Sequence, residues 1–121
     1  MTRKILSIDD SKMVHMVIAK TLRPFGIEII TASDCEESAA RARKDKPDLI
    51  LLDATMPVMD GFELLKNLKK DPRLAEIPVI VVTAGTKMDL RQKALRLGAD
   101  DFSTKPMKEE DFIPRVRKFV V

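Results

Sequence analysis

Three short aliphatic runs are each followed or closed by a polar residue of the kind that does chemistry. Asp9 and Asp10 follow Ile5-Leu6-Ser7-Ile8, Asp53 closes Leu49-Ile50-Leu51-Leu52, and Thr83 closes Val79-Ile80-Val81-Val82. Lys105 follows a shorter strand-like segment, Asp101-Phe102-Ser103-Thr104. Three carboxylates brought together repel one another unless a cation neutralises them. A hard divalent ion is the natural partner: magnesium prefers oxygen donors, keeps several waters, and commonly takes one or two carboxylates together with phosphate oxygens. With one His and one Cys in the chain, a zinc cage has too few ligands. Thr83 and Lys105 add a hydroxyl donor and a point cation, which suit the oxygens of a phosphoryl group. Phosphoryl transfer asks a protein for an in-line nucleophile and for compensation of oxygen charge. Asp53 is the expected nucleophile, with the metal and Lys105 as the two charge clamps.

The elements that must position these residues are legible as an alternation of short apolar runs with longer segments of helical period, the pattern of βα repeats. Strands are expected over Lys4 to Asp9, Glu28 to Ala32, Leu49 to Asp53, Val79 to Thr83 and Asp101 to Thr104, and helices near Lys12 to Arg23, Cys35 to Lys46, Gly61 to Lys70, Lys87 to Leu97 and Lys108 to Val120. The first helix carries Val14, Val17, Ile18, Leu22 and Phe25 at spacings that predict one apolar stripe against the sheet and a wet opposite side. Ser33 or Asp34 can cap the second helix and Gly98 can close the fourth. Pro114 falls inside the last helix, so that helix is expected to start late or to bend. All five chemical residues then sit at carboxyl ends of strands, where open α/β sheets bind ligands at the point of strand-order reversal. With the order 2-1-3-4-5, that crevice lies between the first and third strands and sets Asp53 opposite Asp9 and Asp10. Singly each residue has an ordinary role: Asp10 or Ser11 as an N-cap, Asp53 as a turn acceptor, Thr83 as a strand residue, Lys105 as a surface cation. Their joint placement is what points to a site.

Length and composition bound the rest. The 121 residues suit one domain, with no room expected for an output domain, and 45% hydrophobic with 34% charged residues is the make-up of an ordinary globular protein. No apolar run approaches the roughly 18 residues of a membrane span, and Met1-Thr2-Arg3-Lys4 leads directly into a strand, so a cytoplasmic location is expected. Cys35 is the lone cysteine, which excludes an internal disulfide, and no neighbour marks it as reactive. The net charge of +3 is dispersed: Arg41, Arg43, Lys44 and Lys46 lie beside Asp45 and Asp48, and Lys66, Lys69 and Lys70 beside Glu63 and Asp71. With no Trp or Tyr for stacking, neither nucleic acid nor a membrane is an expected partner. His15 lies beside the apolar stripe and is expected to be structural. Met13, Met56, Met59, Met88 and Met107 fall near the loops of the active edge, where gap filling is their expected role.

The sequence resembles the receiver domains of two-component response regulators, the CheY-like superfamily, in five separated pieces. They are Asp9-Asp10, Asp53-Ala54-Thr55-Met56-Pro57-Val58-Met59-Asp60-Gly61, Thr83-Ala84, Gly98-Ala99-Asp100-Asp101-Phe102 and Lys105-Pro106, in matching order and spacing along the whole chain. The resemblance implies a doubly wound α/β fold of flavodoxin type, a five-stranded parallel sheet in the order 2-1-3-4-5 with helices on both faces, over residues 1 to 121. It makes Asp53 the phosphoacceptor, fed by a phosphohistidine of a sensor histidine kinase or histidine phosphotransfer protein. Asp10 becomes a direct Mg2+ ligand, Asp9 a ligand through water, and Thr55 a ligand by its backbone carbonyl. Thr83 and Lys105 take the phosphoryl oxygens, and the Lys105–Pro106 bond is expected to be cis.

The same resemblance makes Thr83 and Phe102 a switch: the threonine hydroxyl moves to the phosphoryl group and the ring turns inward, altering the face of the fourth helix, fifth strand and fifth helix that a downstream protein reads. On that face Arg91, Asp100, Asp101, Asp111 and Arg115 partly resemble the charges that pair receivers of the winged-helix class. A monomer is expected, with a phosphorylation-dependent dimer as the alternative. Such a protein is no classical enzyme, catalysing only its own phosphorylation and slow dephosphorylation. It is expected to serve as a stand-alone, chemotaxis-like messenger or relay intermediate; the alternative is a receiver fragment of a larger response regulator with an output domain. A hydrolase of the haloacid dehalogenase type needs a second Asp two positions after the nucleophile, where this chain has Thr55. A binding-only pseudo-receiver usually lacks part of the acidic cluster or the lysine. Neither a G-x-G-x-x-G fingerprint nor a P-loop occurs, which argues against nucleotide.

Overall fold

Aliphatic runs too short for a buried helix become strands, and the amphipathic segments between them become the crossovers that parallel pairing requires. A computed structural model describes residues 3–54, 61–83, 88–104 and 108–120. In chain order the elements are β1 (Arg3–Ile8), α1 (Lys12–Leu22), β2 (Ile27–Ala32), α2 (Cys35–Asp45), β3 (Leu49–Asp53), α3 (Gly61–Lys70), β4 (Val79–Thr83), α4 (Met88–Arg96), β5 (Asp101–Thr104) and α5 (Glu109–Phe119). The strands form one parallel sheet in the order β2-β1-β3-β4-β5, as expected. The order reverses between β1 and β3, so their carboxyl ends diverge into a crevice.

Alternation along the strands feeds two cores. Leu6, Ile8, Ile50, Leu52, Val79 and Val81 meet Ala42 of α2, Leu64, Leu65 and Leu68 of α3 and Ala94 of α4. Ile5, Leu49, Leu51, Ile80 and Val82 meet Ile18 and Leu22 of α1 and Phe112 and Val116 of α5. Central strands buried on both faces explain why β3 and β4 read as unbroken aliphatic runs.

Several expectations shift when packing is known. β1 ends at Ile8, so Asp9 lies just beyond the strand, although its N–H still donates to the Ala32 carbonyl at 3.1 Å. α1 stops at Leu22 and tightens into a 3-10 turn over Arg23–Phe25, which Gly26 closes at φ 72°. Its buried face is His15, Ile18 and Leu22, whereas Val17 and Phe25 are 53% and 43% exposed. The stripe is therefore rotated from the one expected, and the outer side is not simply wet, since Met13 and Met16 are exposed there too. α5 does not start late: it begins at Glu109 and runs through Pro114. Pro114 sits on an exposed side, where a carbonyl left without its N–H partner can meet water.

The caps follow local chemistry. Ser11 Oγ accepts from Val14 N–H at the start of α1, and Asp34 Oδ1 accepts from Glu37 N–H at 2.7 Å at the start of α2. After α4, Gly98 takes φ 106°, and its missing Cβ leaves room for the stem of Lys69, whose Cγ would be 3.0 Å away.

That lysine ties the sheet edge opposite the crevice. Lys69 Nζ donates to the carbonyls of Ala75 and Ile77 and to Asp100 Oδ2 at 3.3, 3.0 and 3.0 Å, while the same Asp100 oxygen accepts from Val79 N–H at 2.9 Å. Lys69→Met keeps the packed stem and removes the ammonium. It is expected to lower stability by about 1–2 kcal/mol in urea unfolding, without changing the chemistry at the far edge.

Candidate functional site

Asp53 closes β3 with Val82 as its neighbour on β4, and Asp9 follows β1. Because β1 and β3 are adjacent at the reversal, their terminal carboxylates converge. Asp9, Asp10 and Asp53 each offer a carboxylate oxygen within 4.8 Å of the others. Asp9 and Asp53 are 3% and 4% exposed, whereas Asp10 faces solvent. Three like charges this close, two of them out of water, favour a divalent cation, and an all-oxygen donor set with one open side fits magnesium better than a softer metal.

Local structure fixes this geometry. Asp9 Oδ1 accepts from Ser11 N–H at 3.0 Å, which curls the chain from β1 into α1 and turns Asp10 outward. Ala54 N–H donates to the Val82 carbonyl at 2.9 Å, so the backbone stays in the sheet one residue past Asp53.

Thr83 ends β4 opposite Thr104 of β5 and is fully buried. Phe102 pairs with Val81, two residues before Thr83, so by strand alternation Thr83 and Phe102 share one face. Phe102 is 8% exposed and belongs to the core cluster with Val81, Ala94 and Ala99, which places the ring inward. The structure thus brings together Asp9, Asp10 and Asp53 and sets Thr83 at the neighbouring strand end. Thr55, Lys105 and the Lys105–Pro106 bond lie outside the described residues, as do Met56, Met59 and Met107.

Among the surface charges expected on the outer face of β5 and α5, Arg115 Nη1 donates to Asp101 Oδ1 at 2.8 Å within the chain, and Asp100 is engaged by Lys69. One contact to the acidic turn was not legible in the sequence. His15, expected to be merely structural, is 9% exposed and hydrogen-bonded to the main chain of Asp9. The available signal was Ser7, a polar residue inside an aliphatic strand, whose hydroxyl needs a partner once buried.

A doubly wound parallel sheet with a carboxylate cluster at its switch point is suited to holding a metal ion together with a phosphoryl group. The comparisons narrow this: a family model described as the response regulator receiver domain matches residues 5–117. The chain belongs to that family and is a receiver domain of two-component response regulators. It is 37% identical over 117 residues to the alkaline phosphatase synthesis transcriptional regulatory protein PhoP of Bacillus subtilis, covering 97% of this chain and 48% of PhoP. It is 39% identical to the response regulator PleD of Caulobacter vibrioides, covering 97% of this chain and 26% of PleD. The chain therefore spans about half or less of the length of these relatives. The structure of the chemotaxis response regulator CheY4 of Vibrio cholerae superposes with a TM-score of 0.89 at 30% identity, covering 99% of this chain and 100% of that one. Receiver domains are signalling domains rather than classical enzymes. They generally bind Mg2+ at an acidic pocket, and they interact with histidine kinases or phosphotransfer proteins and with downstream targets. Among the described residues no helix is long and apolar enough to cross a membrane.

Proposed function

We propose that Asp53 is the phosphoacceptor of this receiver domain and that Asp9, Asp10, Asp53 and the backbone carbonyl of Thr55 hold a magnesium ion beside it. The observation that carries this reading is the convergence of the three carboxylates within 4.8 Å at the reversal of strand order. An Asp53 oxygen attacks phosphorus, forming an acyl phosphate as the P–N bond of the donor phosphohistidine breaks; the imidazole leaves with that electron pair and is protonated. Bound magnesium supplies positive charge against the phosphoryl oxygens. Lys105 supplies the second cation, and Thr83 donates its hydroxyl to the same oxygens. Movement of Thr83 toward the phosphoryl group favours the inward Phe102 ring on the shared face, and the surface of α4, β5 and α5 carries the change to a downstream protein. Slow hydrolysis of the acyl phosphate returns the domain to its starting state.

CheY4, matched along its full length, illustrates the stand-alone messenger setting, and PhoP, matched along 48% of its length, the setting with further sequence. We favour a messenger or relay intermediate in the cytoplasm, and a monomer because Asp101 and Asp100 are already paired within the chain with Arg115 and Lys69.

Incubation with acetyl phosphate and Mg2+, followed by intact-protein mass measurement, tests the metal requirement. A phosphate adduct is expected with Mg2+, and its rate of formation is expected to fall at least about a hundredfold in EDTA. Equal rates with and without chelator would remove the metal from the reading.

A further inference from the structure

Beneath the acidic cluster, a polar pair interrupts the aliphatic layer between the sheet and α1. Ser7 is 1% and His15 9% exposed, and Ser7 points to the same face as Ile5, Leu51 and Val82. His15 Nδ1 lies 2.9 Å from Ser7 Oγ, and His15 Nε2 lies 2.9 Å from the main-chain oxygen of Asp9. A carbonyl oxygen can only accept, so Nε2 carries a proton and donates it to Asp9, while Nδ1 is held by the Ser7 hydroxyl. Asp9 is thereby gripped at its N–H by the Ala32 carbonyl at 3.1 Å, at its Oδ1 by Ser11 N–H at 3.0 Å, and at its carbonyl by His15.

The first two grips hold the entry and the side chain of the turn, and His15 holds the peptide group that joins Asp9 to Asp10. Packing does not substitute for it, because a cavity of about 10 Å³, lined in part by Ser7, Asp9, Leu51 and Asp53, lies under the turn. Space for roughly one water lets the peptide tilt unless a hydrogen bond prevents it. A tilt there rotates the Asp10 carboxylate, the exposed member of the cluster, away from Asp9 and Asp53.

We propose that His15, oriented by Ser7, is a positioning residue that sets the divalent-cation affinity of the site by fixing the Asp9–Asp10 peptide. The proposal rests on the reading that Asp9, Asp10 and Asp53 hold the metal. Partners that orient metal ligands from behind are typically worth about 10–100-fold in affinity.

The test is a Mn2+ titration of the unphosphorylated protein, read by the electron paramagnetic resonance of the free ion, with Mg2+ as competitor. His15→Phe keeps the ring volume and removes both hydrogen bonds, and is expected to weaken Mn2+ binding about tenfold or more. His15→Gln, whose amide nitrogen can reach the Asp9 carbonyl, is expected to recover most of that loss. Ser7→Ala, a smaller change to the core, is expected to weaken binding about threefold through loss of ring orientation. In metal-free protein, the amide resonances of Asp10 and Ser11 are expected to shift in His15→Phe and to return toward wild type in His15→Gln. A folded His15→Phe with wild-type Mn2+ affinity overturns the proposal. So does a His15→Gln as weak as His15→Phe; were His15→Phe unfolded, wild-type affinity in Ser7→Ala would do the same. Asp10→Asn separates the two levels: binding lost there but intact in His15→Phe sinks the positioning role alone. Wild-type protein without measurable Mn2+ binding sinks the site reading and the proposal together.

Discussion

Asp53→Asn is expected to leave the protein folded and to reduce phosphate incorporation from acetyl phosphate and Mg2+ by more than about a thousandfold. The amide is nearly the same size as the carboxylate, so it fits the 4% exposed position at the end of β3. It lacks the anionic oxygen that attacks phosphorus, and Asp9 and Asp10, although close in space, stand at the end of a different strand. Removing one of three like charges whose oxygens lie within 4.8 Å also relieves repulsion, so the thermal midpoint measured without metal is not expected to fall. Intact mass and peptide mapping after a fixed incubation measure the effect. Wild-type levels of adduct on the asparagine variant would place the acceptor at another residue.

The second large effect is expected at Gly61, whose importance is steric. Gly61 opens α3 and is buried. A Cβ built there lies 2.5 Å from Ala54 Cα, 2.9 Å from the Asp53 carbonyl oxygen and 3.3 Å from the Ala54 carbonyl carbon. All three are main-chain atoms, so no rotamer change relieves the overlap. Ala54 is in turn hydrogen-bonded to Val82 at 2.9 Å, which ties the backbone beside Asp53 to β4. An added methyl must therefore lift α3 off the sheet or push the end of β3 and reorient Asp53. Gly61→Ala is expected to cost about 1–3 kcal/mol in denaturant unfolding. Where the variant is still folded, its phosphorylation rate is expected to drop about tenfold or more, because reacting groups tolerate little displacement. Wild-type stability and wild-type rate together would show that the helix start yields freely.

The same glycine shows where reading the chain stops. Its place in the run from Asp53 to Gly61 is plain in the sequence, but the reason for it is a contact between the start of α3 and the end of β3, which no local pattern encodes. The strands were legible for the opposite reason. Runs such as Leu49–Leu52 and Val79–Val82 are too short for a buried helix and apolar on both faces, so local chemistry and central position in a sheet say the same thing. Caps were legible for a similar reason, since Ser11 and Asp34 reach backbone groups three residues away.

Helix α1 was read less well. Counting apolar spacings placed Val17 and Phe25 on the buried stripe, whereas the sheet receives His15 instead. A hydrophobic pattern treats histidine as an outward residue, and nothing along α1 announces that Ser7 on the neighbouring strand will satisfy its ring. Of the two outcomes expected at Pro114, the late start does not occur: a helix tolerates proline where the freed carbonyl faces water, and exposure is a tertiary property.

By itself, then, the sequence determined which residues could do the chemistry, and that each of them ends or follows a strand, because residue type and aliphatic run length are local. Which carboxylates meet was decided by the tertiary structure. Asp9 and Asp53 face one another because β1 and β3 pair side by side at the reversal of strand order. The peptide between Asp9 and Asp10 is held by a histidine that arrives from the helix above, since hydrogen bonds between buried groups form only after the layers have packed.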